Sequence, residues 1–182
     1  MPPMQHVYAK ALRLGGVALL GLRVAWGTGQ DGATGEVYMR LISEEALAVV
    51  TIMQEAEGEP YLGKLAVAEV IRNRMNKNYA SDGTVSGTVL RPLQFSGWNA
   101  KDPGRIRSVR ADSDGAIVKD CIRAWNEARA GSNTVHGAVL YYNPSIVKET
   151  PDWALPDSAD EVAVVGQHHF FVPKPRPGTV KV

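Results

Sequence analysis

The chain has 182 residues, of which 45% are apolar and 21% are charged, and its formal net charge is +1. This length predicts one domain with a tail at either end, and the composition excludes a collagen-like, coiled-coil or wholly disordered chain. The small net charge argues against a nucleic-acid partner and is compatible with a polar, weakly anionic polymer. The single cysteine, Cys121, excludes an internal disulfide, and its apolar neighbours indicate a buried thiol.

The N-terminal residues, 1–35, combine an apolar segment with a glycine-rich linker. The apolar run Leu14–Leu22 is too short to span a bilayer, which needs about 20 residues, but it is long enough for the core of a secretory signal. Two interpretations stay open: an amphipathic helix packed on the domain, or an export or membrane-tethering segment. Because Gly27–Gly35 is typical of a flexible linker, we expect the folded domain at 36–173 and an extended tail at 174–182.

Two helices joined by a very short link are predicted next. Ser43 is a suitable N-cap, and apolar residues at helical spacing predict a helix at about 44–56 that stops at Gly58. A proline that suits a first turn begins a second helix at about 60–76. The short link predicts that the two helices lie close together. The inward residues of the second helix are predicted to be Leu62, Leu65, Ala66, Val70 and Ile71.

The rest of the chain predicts one more long helix and a small β element. We expect a short helix within 85–99, a polar and basic loop at about 100–115, and a helix at about 113–130. A terminal strand is predicted at 161–172. The fold class is therefore α+β and mainly helical, with functional residues on the connections. The inward stripe of the last helix is predicted to be Ile117, Cys121, Ala124, Trp125 and Ala128.

Three glutamates, Glu55, Glu57 and Glu59, are crowded at the junction of the first two helices. Glu55 falls in the last helical turn, where the negative end of the helix dipole opposes ionisation of a carboxyl group. Partial burial beside aromatic side chains would add to this effect and would suit Glu55 as a general acid on a glycosidic oxygen. Glu57 is explicable as a solvated turn residue and Glu59 as a cap of the second helix. This segment alone is not a specific signal.

Four sequence blocks taken together are much more specific. In chain order they read "EAEGEPYLGKLAVAEVIRNRM", "RPLQFSGWN", "LYYNP" and "GQHHF". This combination resembles the spore cortex-lytic (SleB-type) family of cell-wall hydrolases over about residues 44–172. The resemblance implies a compact lysozyme-like domain that cleaves the β-1,4 bond between N-acetylmuramic acid and N-acetylglucosamine in peptidoglycan. It also implies that Glu55, the first glutamate of the first block, is the catalytic residue.

Two positions depart from the family pattern. Glu57 stands where the family usually has arginine, which removes a positive charge near the cleft. The third block, 140–144, lacks one residue before Asn143. Both departures bear on the details of the substrate subsites and leave the acid itself in place.

The mechanism depends on how many carboxylates take part. Most glycosidases use two, but the sequence shows no obvious partner for Glu55, because Glu59 and Glu69 are both explicable as helix residues. A lytic transglycosylase needs only one acid, since the 6-hydroxyl of the substrate itself attacks the anomeric carbon and forms 1,6-anhydroMurNAc. The resemblance implies this route. The alternatives are a hydrolytic N-acetylmuramidase that uses water and, more distantly, a non-catalytic glycan-binding or virion structural module.

Seven further residues are candidates for binding the glycan. Those of the second block offer hydrogen-bonding groups and an indole that could stack on a sugar, whereas Phe95 is expected in the core. Of the adjacent tyrosines, one is expected to face the cleft and one to be in the core. Asn143 is suited to bind an acetamido group, to orient Glu55 or to cap a turn, and His168 is either a core histidine or a site residue that shares a strand face with Phe170. The candidates are Gln94, Ser96, Trp98, Tyr141, Tyr142, Asn143 and His168.

No metal ion or cofactor is expected. His136, His168 and His169 are the histidines considered for zinc, but adjacent strand residues point to opposite faces and no histidine pair has the spacing of a zinc protease. We expect a monomer that acts on peptidoglycan glycan strands in the periplasm or cell wall, with the N-terminal segment as the candidate for membrane association. Both a phage or prophage endolysin, released from the host cytoplasm, and an exported bacterial wall-remodelling or germination enzyme fit this setting.

Overall fold

The structure is a computed structural model that describes residues 10–14, 17–21, 43–99 and 115–175. The predicted linker, most of the basic loop and the end of the tail lie outside these residues. No helix in the described part of the chain is both long and apolar enough to cross a membrane. The helices are α1 (Glu44–Ala56), α2 (Tyr61–Lys77), α3 (Val85–Val89) and α4 (Ala116–Arg129), with 3-10 helices at Ser96–Trp98 and Asp152–Ala154. The strands are β1 (Lys10–Leu14), β2 (Val17–Gly21), β3 (Leu140–Tyr142), β4 (Ala159–Val165) and β5 (His168–Pro173).

The helices predicted from the sequence are confirmed, and local signals explain their ends. At the start of α1, the side chain of Ser43 accepts a hydrogen bond from Ala46 N–H at 3.2 Å. The connection from α1 to α2 is held by the buried ammonium group of Lys64, which donates to the carbonyl oxygens of Glu57 and Glu59. Glu57 is the C-cap residue of α1, so its carbonyl oxygen is an acceptor that the helix leaves open, and Lys64 satisfies it.

The main hydrophobic core lies between α1, α2 and α4, with Phe95 buried in it. Two predictions within these helices are wrong: Leu62 is 57% exposed and Ile117 is 40% exposed. Each is the second residue of its helix, and the neighbouring Tyr61 and Val118 make the first-turn contact with the core instead. The other residues predicted to face inward are buried.

A three-stranded antiparallel sheet, in the order β3-β5-β4, packs on the other side of α2. The single strand predicted at 161–172 is instead the hairpin of β4 and β5. Its reversal takes place at Gly166, whose φ of +59° is a left-handed conformation that glycine adopts without strain. Val70 and Phe170 belong to a second core between α2 and this sheet. Helix α2 is therefore buried on two sides.

The described residues of the apolar N-terminal segment, 14 and 17–21, are strand and not helix. Strands β1 and β2 pair in an antiparallel hairpin, with Lys10 opposite Gly21 and Leu14 opposite Val17. The interpretation of a packed amphipathic helix is therefore wrong. Two glycines separate the strands in the sequence, and this spacing is the length of the commonest hairpin connection, whereas glycine is a poor helix former.

Candidate active site

Glu55 lies in the last turn of α1 and its carboxylate is held by three hydrogen-bond donors. Oε1 accepts from Ser96 Oγ at 3.3 Å and from Gly97 N–H at 3.4 Å. Oε2 accepts from the Tyr141 hydroxyl at 2.8 Å. The structure thus brings Glu55, Ser96 and Tyr141 together from three separate elements. These donors orient the carboxylate. It still reaches solvent because the side chain is only partly buried.

The loop that carries Ser96 and Gly97 is anchored to α1 by Trp98. The Trp98 indole N–H donates to Thr51 Oγ1 at 2.9 Å, and Thr51 lies one turn before Glu55 on the same helix. Gly97 packs so closely against Gln54 that a Cβ atom at this position would overlap the Gln54 side chain. The glycine therefore allows its own N–H group to reach Glu55. Trp98 packs against the core through part of its surface, and its stacking on a sugar stays a prediction.

The two adjacent tyrosines face opposite sides of β3, as strand geometry requires. The Tyr141 ring contacts the His168 ring edge to face, with centroids 5.3 Å apart, and Phe170 at 5.6 Å. Burial and the charge of Glu55 raise the pKa of Tyr141 well above its ordinary value of 10.0, so the hydroxyl keeps its proton and donates. Tyr142 instead packs against Trp153, and the structure does not bring it to Glu55. Of the two tyrosines, only Tyr141 contacts the candidate acid.

Asn143 caps a turn and does not contact Glu55. Its Oδ1 accepts from the N–H of Ser145 at 2.9 Å and from the Ser145 hydroxyl at 2.6 Å. Its Nδ2 donates to Gln167 Oε1 at 3.1 Å, which links the turn after β3 to the connection between β4 and β5. Of the three roles considered for Asn143, the geometry supports the turn cap.

His168 lies on the inward face of β5 and is 8% exposed, beside both Tyr141 and Glu59. The shared inward face with Phe170 is confirmed. Its Nδ1 atom is 3.7 Å from Glu59 Oε1. Burial lowers the pKa of His168 below its ordinary 6.5, although the nearby carboxylates of Glu59 and Glu55 act in the opposite direction. His168 is therefore a buried histidine that supports Tyr141 from the side.

The prediction that Glu59 caps α2 is wrong. Pro60 is the N-cap residue of this helix, and the structure shows no side-chain capping hydrogen bond at this position. The Glu59 carboxylate instead accepts from Gln167 N–H at 3.4 Å. An added Cβ atom would overlap this carboxylate at Gly166 and the Cβ atom of Glu59 at Gly63. Glu59 thus joins the connection between α1 and α2 to the turn between β4 and β5. This contact is between residues distant in sequence, so helix signals could not predict it.

Polar residues buried on α2 fix the chain that leads into β3, and sequence reasoning missed this function. The carboxylate of Glu69 accepts from Thr134 Oγ1 at 3.0 Å and from Val135 N–H at 2.9 Å. Asn73 Nδ2 donates to the carbonyl oxygen of Ala138 at 2.9 Å. The available signal is the run "AVAEVIRNR", in which charged residues interrupt a nearly continuous apolar helix.

Gln94 is turned toward α2. Its Oε1 accepts from Arg74 Nη1 at 3.1 Å. Gln94 therefore has a partner within the protein, and its predicted contact with the glycan stays a prediction.

No group of three His, Cys, Asp or Glu side chains in the described residues could hold a metal ion. His169 pairs with Glu161 at 2.9 Å, on the face of β5 opposite His168.

Comparison with known proteins identifies relatives of this chain. The model of the family described as Cell Wall Hydrolase matches residues 58–171, a range that begins after Glu55. The spore cortex-lytic enzyme of Oceanobacillus iheyensis is 34% identical over 116 residues, which are 64% of this chain and 37% of that protein. The spore cortex-lytic enzyme of Halalkalibacterium halodurans is 32% identical over 124 residues, 68% of this chain and 33% of that protein. This chain therefore corresponds to well under half of each relative.

Two solved structures share the fold. The catalytic domain of the Bacillus cereus SleB protein has a TM-score of 0.56 and 26% identity, and the match covers 71% of this chain and 89% of that domain. The catalytic domain of SleB from Bacillus anthracis has a TM-score of 0.55 at 24% identity and covers 71% of this chain and 93% of that one. These matches confirm the α+β, lysozyme-like class. Since the family model spans more than half of its residues, this chain belongs to the Cell Wall Hydrolase family.

Proposed function

We propose that this chain is a lytic transglycosylase that cleaves the β-1,4 bond between N-acetylmuramic acid and N-acetylglucosamine in peptidoglycan. The observation that carries the proposal is the Glu55 carboxylate, which three donors orient while it remains partly exposed. Its relatives are spore cortex-lytic enzymes, which supports a cell-wall glycan as the substrate. The same relatives support a site of action outside the cytoplasm.

In the proposed reaction, Glu55 acts first as an acid and then as a base. It donates its proton to the glycosidic oxygen as the bond to the anomeric carbon breaks. The resulting carboxylate then takes the proton of the 6-hydroxyl group of the same muramic acid, whose oxygen attacks the anomeric carbon and closes the 1,6-anhydro ring. The proton returns to Glu55, so the enzyme is regenerated without water. Intramolecular attack of a well-oriented hydroxyl contributes about 7–11 kcal/mol.

The surroundings of Glu59 support the single-acid route over hydrolysis. A hydrolytic enzyme of this type would use a second carboxylate to activate water. The Glu59 side chain is 10% exposed and its carboxylate faces His168 and the Gln167 N–H group. It is therefore engaged within the protein, and it does not present a free carboxylate to a water molecule on the open side of Glu55.

The test compares the native chain with Glu55→Gln on peptidoglycan. We expect the native chain to clear suspensions of outer-membrane-permeabilised cells and Glu55→Gln to lose this activity. Glu57→Gln is the matched control, because Glu57 is an exposed acid of the same segment. Equal clearing by the native chain and Glu55→Gln would exclude Glu55 as the acid, and no clearing by either would favour the non-catalytic glycan-binding module.

The chemistry of the released ends distinguishes the two glycosidase mechanisms. Mass spectrometry of the muropeptides should find 1,6-anhydro ends, which are lighter than reducing ends by one water. Reducing ends as the main product would overturn the transglycosylase proposal in favour of the muramidase.

Whether residues 1–30 direct a reporter protein to the periplasm would separate an exported enzyme from an endolysin released by another route.

A further inference from the structure

We propose that Arg74 is a positioning residue for Glu55. It binds both chain segments that supply the donors of the Glu55 carboxylate, and it does not contact the carboxylate itself. The proposal rests on the proposed function of Glu55 and adds a residue that acts through others. Neither Tyr141 nor Ser96 is adjacent to α2 in sequence, so their common placement at Glu55 needs a structural cause.

The Arg74 guanidinium group donates one hydrogen bond to each of these two segments. Nε donates to the carbonyl oxygen of Val139 at 2.7 Å, two residues before Tyr141. Nη1 donates to Gln94 Oε1 at 3.1 Å, two residues before Ser96. The carbon at the centre of the guanidinium group is 4.8 Å from the centroid of the Phe95 ring, in the same loop as Ser96. One side chain thus sets the distance between the segment of Tyr141 and the loop of Ser96.

The burial of this cation indicates a requirement for its shape. Arg74 is 4% exposed, and it forms no salt bridge with a carboxylate among the residues that the structure describes. Burial lowers the pKa of Arg74 below its ordinary value, and the opposing charge of Glu55 only partly offsets this effect. An apolar residue would pack in place of Arg74 at lower cost. A guanidinium group has donors at fixed angles and can bind two acceptors in separate segments at once, whereas an ammonium group is a point charge on a flexible stem. The geometry therefore favours arginine at this position over lysine.

Arg72 provides a matched control on the same helix. Its Nη1 atom donates to the carbonyl oxygens of Ala128 at 2.8 Å and Ser132 at 2.7 Å. Arg72 therefore also joins α2 to a distant segment through two carbonyl contacts. Its Nε and Nη2 atoms donate to Asn73 Oδ1 on α2 itself, at 3.3 and 2.8 Å, and none of these partners donates to Glu55. A purely structural role of Arg74 would make the two arginines equivalent.

The experiment compares Arg74→Lys with Arg72→Lys on soluble peptidoglycan strands, with 1,6-anhydro ends as the readout. For Arg74→Lys we expect kcat to fall about 10- to 100-fold with little change in KM, because small misplacement of a catalytic group has effects of this size. For Arg72→Lys we expect a kcat close to that of the native chain. The melting temperature of each variant gives the folded fraction. If Arg74→Lys does not fold, Gln94→Met is used instead. It removes only the hydrogen bond between Arg74 Nη1 and Gln94, and it should lower kcat by a smaller factor.

A double-mutant cycle with Tyr141→Phe tests whether Arg74 acts through the donor. Once the Tyr141 hydroxyl is absent, Arg74→Lys should lower kcat much less than it does in the native chain. Equal kcat values for the two lysine variants, or fully additive effects with Tyr141→Phe, would overturn the positioning role. An inactive native chain would overturn the proposed function and this inference with it. An active native chain with equal lysine variants would overturn this inference alone, so the two failures are distinguishable.

Discussion

At the scale of single residues, the hydroxyl group of Tyr141 makes the shortest of the three hydrogen bonds to the candidate acid. It donates to Glu55 at 2.8 Å, and both burial and the Glu55 charge keep the phenol protonated by raising its pKa. The ring is supported on one side by His168 and by Phe170. The hydroxyl therefore binds Glu55 and the ring packs, so replacing tyrosine with phenylalanine removes the hydrogen bond and keeps the packing.

Tyr141→Phe is expected to lower kcat about 10- to 100-fold with the fold intact. The reason is that a hydrogen bond to a charged group contributes about 1.5–3 kcal/mol, and about 1.4 kcal/mol corresponds to a factor of ten. The measurement is the rate of release of 1,6-anhydro ends. Tyr142→Phe is the control, because Tyr142 lies on the opposite face of β3. A rate for Tyr141→Phe equal to that of Tyr142→Phe would show that the hydroxyl contact is not used.

His168 gives a second prediction at this scale, on the pH dependence of stability. Burial lowers its pKa in the folded state below the ordinary 6.5, so the unfolded chain binds the proton more readily. The stabilisation from the neutral imidazole is therefore complete above about pH 6.5 and is lost as the pH falls toward the lower folded-state pKa. We expect the melting temperature of the native chain to be lower at pH 5.5 than at pH 7.5. The same decrease should be smaller for His168→Gln.

The control for this pH effect is His136→Asn. His136 is exposed and has a φ of 49°, a conformation that asparagine tolerates. This variant should keep the pH dependence of the native chain. If His168→Gln and His136→Asn respond to pH alike, the burial of His168 has no part in acid sensitivity.

At the scale of elements, the contact of Glu59 with Gly63 and Gly166 joins the helical part of the molecule to the sheet. Glu59 belongs to the short connection between α1 and α2, and Gly166 to the turn between β4 and β5. The two glycines leave room for the Glu59 side chain, Gly63 beside its Cβ atom and Gly166 beside its carboxylate. The turn that follows places His168 at the start of β5, beside Tyr141 of β3. The junction therefore sets the position of the sheet residues relative to the end of α1.

Gly166→Ala is expected to destabilise the fold more than Gly131→Ala does. Both glycines have positive φ, +59° and +105°, so both alanines are strained. An added Cβ atom would overlap Glu59 at position 166, but it meets nothing within 4 Å at position 131. The difference in the free energy of unfolding, measured with denaturant, should be about 1 kcal/mol, the lower end of the usual cost of overpacking, because the overlapping atoms are the end of a flexible side chain. A difference near zero would mean that the contact with Glu59 is readily displaced.

At the scale of the whole molecule, α2 is shared by two cores. One side of the helix packs with α1 and α4, and the other side packs with the sheet through Val70 and Phe170. Polar side chains of the same helix bind the segment that leads into β3. Because both cores depend on one helix, we expect them to unfold in a single cooperative transition.

Val70→Ala should lower the free energy of unfolding by about 1–3 kcal/mol, since it removes buried methyl groups and leaves a cavity. Val70 is completely buried, whereas Val164 on β4 is 54% exposed, so Val164→Ala is the matched control with a small expected effect. Unfolding followed by circular dichroism and by tryptophan fluorescence should give coincident curves for all three proteins. Separate transitions would show that the sheet unfolds independently of the helices.

Local signals explain how much of this fold could be predicted. The cap at Ser43 and the helical spacing of apolar residues predicted α1, α2 and α4, because these signals act within a few residues. The turn at Gly166 was missed because an apolar run on both sides is also typical of one long strand. The directions of Gln94, Tyr142 and Glu59 were not predictable from spacing, since their partners belong to distant segments.

The sequence by itself determined the family, the mainly helical α+β class and the position of Glu55 at the end of the first helix. Helix periodicity and the four sequence blocks record these properties locally. The tertiary structure alone decided what surrounds Glu55. Its donors Ser96 and Tyr141 follow it by 41 and 86 residues, and Arg74 binds both of their segments. The physical reason is that a carboxylate or guanidinium group that packing removes partly or fully from water takes its partners from the segments that packing brings near, and these depend on the folded chain as a whole.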